Sequence, residues 1–187
     1  MFEKVSFEEF SKAYSNYIVE RAEEGLRPLY ELDESTKKEL WDVIELPVRS
    51  TPKSAGYDFR IPFKLVALPG RTYMVPTGIK ANMERVCSQN ETEGACINCF
   101  LALYPRSSLG FNYGFCMDNT VGIIDQDYYN NENNEGHIMV GFTVQKAITF
   151  KPGDRFFQAV IEGYYTMPNE LSPVNMSRTG GLGSTGK

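Results

Sequence analysis

The 187-residue sequence has one histidine, one tryptophan and four cysteines, and it runs short of positive charge. With 24 acidic against 19 basic residues, its formal charge is −5. That balance argues against a general nucleic-acid or anionic-membrane binder, since neither surface attracts an acidic protein. An anionic ligand would need locally placed arginines and backbone amides. No apolar run approaches the length of a membrane span, and "MFEKVSFEEF" lacks a basic-then-apolar signal pattern, so the expectation is a cytosolic protein. The only histidine, His137, has no evident serine or cysteine partner, and in a strand it reads as structural; the base of a hydrolase here would be a carboxylate. The cysteines are Cys87, Cys96, Cys99 and Cys116. "CINC" has zinc-like local spacing, but the other two form no second short pair and no histidine lies near. The run "ACINCFLALYP" therefore reads as a strand in which cysteine is a small buried residue, with a structural zinc as the alternative.

Apolar residues make up 42% and charged residues 23% of the chain, the composition of one well-cored globular domain. Residues 1–44 differ in texture from the rest. Ser6 with Glu9 forms a capping box, and Phe7, Phe10, Tyr14, Tyr17 and Ile18 recur at helical spacing up to Gly25. A second short helix is expected from Thr36 to Trp41, with Thr36 and Glu39 at its start. This segment is either an amphipathic extension packed on the body or an arm for a protein partner. From residue 45 the chain turns to short runs of strand formers. They are separated by "PKSAG", "LPGR", "VPTG", "PRSSLG", "YYNNENNEG" and "KPGD", a pattern of a mainly β sandwich or barrel. The stretch 136–165 adds two or three further strands.

Three stretches carry candidate chemistry. The tail "RTGGLGSTGK" is either a loose terminus or a phosphate wrap, since glycines let backbone N–H groups converge on an anion and Arg178 offers a fork. "YPRSSLG" places Arg106, Ser107 and Ser108 in a turn leaving a strand, a compact set of phosphate donors or an ordinary polar turn. In "NTVGIIDQDYYNNENNEGHIMV", Val121, Ile123 and Ile124 make Asp125 the polar end of a buried strand. The Asn-rich segment then reads as the tip of a hairpin returning through "GHIMV". Asp125 and Asp127 share strand parity, so they could equally be solvated turn residues.

Taken together, "SAGYD", "PRSSLG", "NTVGIIDQDY", "GDRFFQAVI" and "GGLGSTG" resemble, in order and rough spacing, the five motifs of the trimeric dUTP pyrophosphatases (dUTPases). The likeness runs from about residue 45 to the C-terminus, and "YYNNENNEGHI" resembles an insertion of bacterial and phage members. The resemblance implies a β jelly roll over 45–175, a helical extension at 1–44 and a Gly-rich active-site arm at 176–187. It implies a homotrimer with shared sites, in a bacterial or phage-infected host cytoplasm, that hydrolyses dUTP to dUMP and pyrophosphate with Mg²⁺ on the triphosphate. By this resemblance Asp125 is the general base and Asp58 holds the Mg²⁺ shell through water. Arg106, Ser107, Ser108 and Gln158 contact phosphates. Asn119, Gly122, Ile123, Ile124 and Met139 belong to a hairpin that reads uracil, and Tyr128 stacks on the deoxyribose and excludes a 2′-hydroxyl. Arg178, Gly183, Ser184 and Thr185 close over the γ-phosphate.

The chain departs from the family pattern in three ways. "RTGGL" is one residue shorter between arginine and glycines than the commonest form, Leu182 stands where phenylalanine usually stacks on uracil, and compact members lack the extension. Two other readings stand beside this one. dCTP deaminase shares the fold but typically has a catalytic glutamate in a Thr-Leu-Glu stretch, where this chain reads "VGFTVQKAI". A regulatory protein on a dUTPase scaffold could use residues 1–44 or 87–99 as partner surfaces.

Overall fold

The computed structural model describes residues 1–17, 19–22, 25–28, 32–84 and 98–167. The N-terminal part comprises β1 (Phe2–Lys4), α1 (Phe7–Tyr17), β2 (Val19–Ala22), β3 (Gly25–Pro28) and α2 (Glu34–Asp42). Next come β4 (Val48–Arg49), β5 (Tyr57–Arg60), β6 (Leu65–Ala67), β7 (Thr72–Pro76) and β8 (Ile79–Ala81). The remainder contains β9 (Cys99–Pro105), α3 (Ser107–Tyr113), β10 (Cys116–Met117), β11 (Gly122–Ile124), β12 (Met139–Thr143), β13 (Ile148–Phe150) and β14 (Arg155–Gly163). Two five-stranded sheets, ordered β11-β9-β14-β5-β4 and β10-β12-β7-β2-β3, are joined by the strand pairs β1-β8 and β13-β6. The described strand pairings are antiparallel, as a mainly β jelly roll requires.

Aromatic rings dominate the core. Phe59 stacks on Phe157 with centroids 4.4 Å apart, and Phe115 on Phe142 at 4.5 Å. Full burial of one such ring contributes about 1.5–3 kcal/mol. Phe156 and Phe157 are consecutive and both fully buried, which strict strand alternation forbids. A register shift in β14 between Arg155 and Phe157 resolves this: the bulge turns both rings inward and re-aims Arg155.

Residues of the N-terminal segment enter the same core. Phe10, Ala13 and Tyr14 are buried, Tyr14 meets Phe63 edge-on at 5.2 Å, and β1 pairs with β8. The expected first helix, however, ends at Tyr17 instead of Gly25. β2 follows and pairs with β3 and, through Arg21, with Thr72 of β7. The open edge of β7 recruits this backbone, and β-branched Val19 suits a strand better than a helix. The second helix starts earlier than expected. Asp33 is its N-cap, its Oδ1 accepting the Thr36 N–H at 2.8 Å, so Thr36 lies inside the first turn.

Three other expectations are corrected. "PRSSLG" is not a turn but the start of α3: Arg106 is its N-cap, Leu109 is buried, and Gly114 closes it at φ +62°. β11 and β12 do not form a hairpin, because β11 pairs with β9 in one sheet and β12 with β7 and β10 in the other. Residues 125–138 therefore cross between sheets. Within β11 only Gly122 is buried. Ile123 is 50% exposed and Ile124 partly buried, so Asp125 does not end a buried strand within one chain. The cause is β11's place at a sheet edge. Cys99 is buried at the start of β9 and Cys116 is exposed, while Cys87 and Cys96 lie outside the described residues. Among the described residues no helix is long and apolar enough to cross a membrane.

Candidate active site

Antiparallel register builds the first half of the site. Asp58 of β5 stands directly opposite Gln158 of β14, as Phe59 stands opposite Phe157 one residue on. The phenylalanines take the core face, so Asp58 and Gln158 share the other. Gln158 is also opposite Tyr104 of β9, and its Nε2 donates to the Pro105 carbonyl at 3.4 Å. That brings Gln158 beside Arg106, the N-cap of α3, with Ser107 and Ser108 exposed in the first turn.

Asp58 is the hub of this cluster. Its Oδ1 lies 3.1 Å from Arg106 Nε, and its Oδ2 lies 3.0 Å from an Arg155 guanidinium nitrogen. The Ser50 hydroxyl donates to Oδ2 at 2.5 Å and accepts from Arg155 at 2.8 Å. Burial alone would raise the Asp58 pKa, but the Ser50 and Arg155 hydrogen bonds and the Arg106 charge outweigh it and hold the carboxyl below the usual range. The carboxylate is thus ionised at neutral pH, and two guanidinium groups around one carboxylate leave a net positive locale suited to a polyanion. Arg155, Ser50 and Gly56 were not recognised from sequence. A side chain at Gly56 would put its Cβ 2.3 Å from Gln158 Oε1 and 3.2 Å from Gln158 Cβ, so the absent side chain makes room for that amide. The local signals were the bulge-prone "RFFQ" and the glycine two residues before Asp58.

The second group lies elsewhere. Asn119 is exposed, Gly122, Ile123 and Ile124 form β11, and Met139 opens β12 in the other sheet. Asp125 is half-buried at the start of a 3₁₀ turn over Gln126–Tyr128, and Asp127 is exposed. Tyr128 is 6% exposed; its hydroxyl donates to the His137 carbonyl at 3.0 Å and accepts from Asn134 Nδ2 at 2.7 Å. His137 is buried, and its Nε2 accepts the Gly78 N–H at 2.8 Å, a structural bond. Among the described residues β11 is an edge strand, with one side of its backbone paired to no other described strand. Within one chain the two groups stay apart, because Ile124 pairs with Leu101 whereas Arg106 follows the far end of β9. Five strand residues separate those levels by roughly 17 Å. Arg178, Leu182, Gly183, Ser184 and Thr185 lie outside the described residues.

An antiparallel two-sheet fold with a cationic cluster around one fixed carboxylate defines a class of anion-handling β protein. Comparison makes the class specific. A family model described as dUTPase matches residues 42–186. The deoxyuridine 5′-triphosphate nucleotidohydrolase of Lactococcus lactis subsp. lactis (strain IL1403) is 37% identical over 146 residues, covering 76% of this chain and 89% of the relative. The dUTPase of Streptococcus mutans superposes with a TM-score of 0.55 at 33% identity, covering 66% of this chain and 89% of that one. A Staphylococcus bacteriophage 80alpha dUTPase shares the fold at 16% identity and a TM-score of 0.50, over 76% and 92% of the two chains. The chain belongs to the dUTPase family.

Proposed function

We propose that this protein hydrolyses dUTP to dUMP and pyrophosphate in a trimer whose sites combine neighbouring copies. The observation that carries the reading is the Asp58–Arg106–Gln158 cluster, assembled by register from three separate family motifs. Arg106, Ser107, Ser108 and Gln158 bind the phosphates. Asp125, supplied by another copy, orients a water at the α-phosphorus and accepts its proton as the P–O bond forms and pyrophosphate departs. A carboxylate is a weak base at neutral pH, so positioning and neutralisation of phosphate charge carry most of the acceleration.

The unpaired side of β11 reads the acceptor-donor-acceptor edge of uracil, and cytosine would leave buried groups unpaired at about 1–3 kcal/mol each. Tyr128, its hydroxyl fixed at both ends, presents a rigid ring to the deoxyribose with no room for a 2′-hydroxyl. Asn119 and Met139 frame the base, while Arg178, Leu182, Gly183, Ser184 and Thr185 form the closing arm.

Asp58 fits the role of holding Mg²⁺ through water rather than as a direct ligand. Its two oxygens receive Ser50, Arg106 and Arg155, which leaves acceptor capacity for a water. Among the described residues no group of three or more His, Cys, Asp or Glu could hold a metal by itself, in keeping with a cation carried on phosphates. Bound there, Mg²⁺ supplies charge neutralisation on the triphosphate.

The test is pyrophosphate release from dUTP with and without Mg²⁺, beside ammonia release from dCTP. The expected result is Mg²⁺-supported pyrophosphate release and no ammonia, with Asp125→Asn lowering kcat at least about 100-fold. Turnover surviving Asp125→Asn would assign the base to another residue.

A further inference from the structure

Helix α1 and the residues before it grip the crossover segment 126–138 through exchanged carboxylates. Ser6 and Glu9 have the spacing of a capping box, in which Glu9 would return to the Ser6 amide. Only half of that box forms: Ser6 Oγ accepts the Glu9 N–H at 3.1 Å. The Ser6 N–H donates instead to Glu135 Oε2 at 3.1 Å, and the Ser6 hydroxyl donates to Glu135 Oε1 at 2.5 Å. Glu9 turns to His137, with Oε1 3.2 Å from Nδ1 and both side chains buried. Outside this core, the Tyr129 hydroxyl donates to Glu3 at 2.8 Å and the Lys12 ammonium donates to the Asn133 carbonyl at 3.2 Å.

The gripped segment is strained. Glu135 has φ +56° and Asn130 φ +54°, left-handed values that a non-glycine residue keeps only where its surroundings hold it. Lys80 Nζ secures both, at 3.2 Å from Glu135 Oε2 and 2.7 Å from Asn130 Oδ1. The neighbouring Gly136 has φ +78°, and a Cβ there would meet the Tyr128 carbonyl oxygen at 2.5 Å. Asn134, the other neighbour, donates its Nδ2 to the Tyr128 hydroxyl at 2.7 Å. Glu135 thus sits one residue from each of two contacts with Tyr128.

We propose that Glu135 is a positioning residue: α1, through Ser6, locks segment 126–138 and so fixes Tyr128 for the substrate. The inference rests on the dUTP reading above and extends it to the N-terminal segment. A helix serving only to cover the core would need Phe10 and Tyr14, but not a strained glutamate reaching its first turn from 129 residues away.

Glu135→Gly tests this cleanly, since glycine accepts the left-handed backbone while the tether to Ser6 is lost. Amide hydrogen exchange over 126–138 should rise about tenfold or more, with β9 and β14 unchanged. KM for dUTP should rise about five- to tenfold while kcat moves less than about threefold. Glu135→Gln, whose amide oxygen still accepts the Ser6 N–H, should recover most of both effects. Unchanged exchange in Glu135→Gly overturns the proposal, as does raised exchange with KM unmoved, or a Glu135→Gln indistinguishable from Glu135→Gly. A wild type that does not turn over dUTP contradicts the functional reading, and the exchange comparison then still decides the tether.

Discussion

Arg106 and Asp125 stand at opposite ends of one strand level. Arg106 follows Pro105 at the end of β9, and Asp125 follows Ile124, which pairs with Leu101 near the start of β9. Antiparallel pairing carries Asp125 further from Arg106 with each residue, and roughly 17 Å already separates the paired level from Arg106. No rotamer of either side chain closes that gap. On the proposed reading both groups act at one α-phosphate, which requires them to come from different copies of the chain.

Asp58 should make folding stability acid-sensitive. Its pKa is lower in the folded protein than in an unfolded chain, so the stability it contributes is complete above the usual carboxylate range and fades as pH falls through the folded value. Asp58→Asn should cost about 1–3 kcal/mol at neutral pH, and the deficit should shrink below about pH 4. Urea titrations across that range measure it. An equal deficit at every pH would show that the arginine pairing contributes nothing.

Gly56→Ala should damage function more than folding. The new Cβ's three nearest contacts are all side-chain atoms of Gln158, so the amide swings away from its place beside Arg106. The expected fall in kcat/KM for dUTP is about tenfold, with Tm shifted by less than about 4 °C. Full activity would remove Gln158 from the phosphate site.

His137 should behave as a structural residue. Its removal takes the ring partner from the buried Glu9 carboxylate, which keeps, among the described residues, only Lys12 at 3.7 Å, and strands the buried Gly78 N–H. His137→Ala should lower stability by about 2–4 kcal/mol, and adding Glu9→Leu should recover part of it by removing a buried carboxylate that has lost its hydrogen-bond donor. Chemical denaturation of the single and double variants gives the answer. Additive losses would mean the two side chains do not interact.

Leu182 is the least family-like member of the proposed arm. Phenylalanine would add stacking on uracil of about 0.5–1.5 kcal/mol, so Leu182→Phe should lower KM for dUTP by up to about tenfold. Steady-state kinetics decide it, and unchanged KM and kcat would contradict a lid role for this residue.

Much of this organisation was legible in the sequence because it is local. "CFLALYP" and "RFFQAVI" announce β9 and β14 by their apolar runs, and the motifs that carry Asp58, Arg106, Asp125 and Gln158 are contiguous. What escaped depends on distant partners. The helix stops at Tyr17 because β7 offers an edge, and β11 and β12 go to different sheets although their spacing suits a hairpin. Arg155 reaches Asp58 only across a bulge, and the capping box opens only because Glu135 arrives from 129 residues away.

The most direct measurement is complementation between two inactive variants. Asp125→Asn keeps an intact Arg106, and Arg106→Ala keeps an intact Asp125. Each alone should be inactive. Dissociated together and reassembled at equal concentrations, they should regain about a quarter of the wild-type dUTP turnover, since one site in four would then draw both intact groups from different copies. A mixture as inactive as its components, in trimers shown by mass to contain both chains, would contradict the account of a site shared between copies.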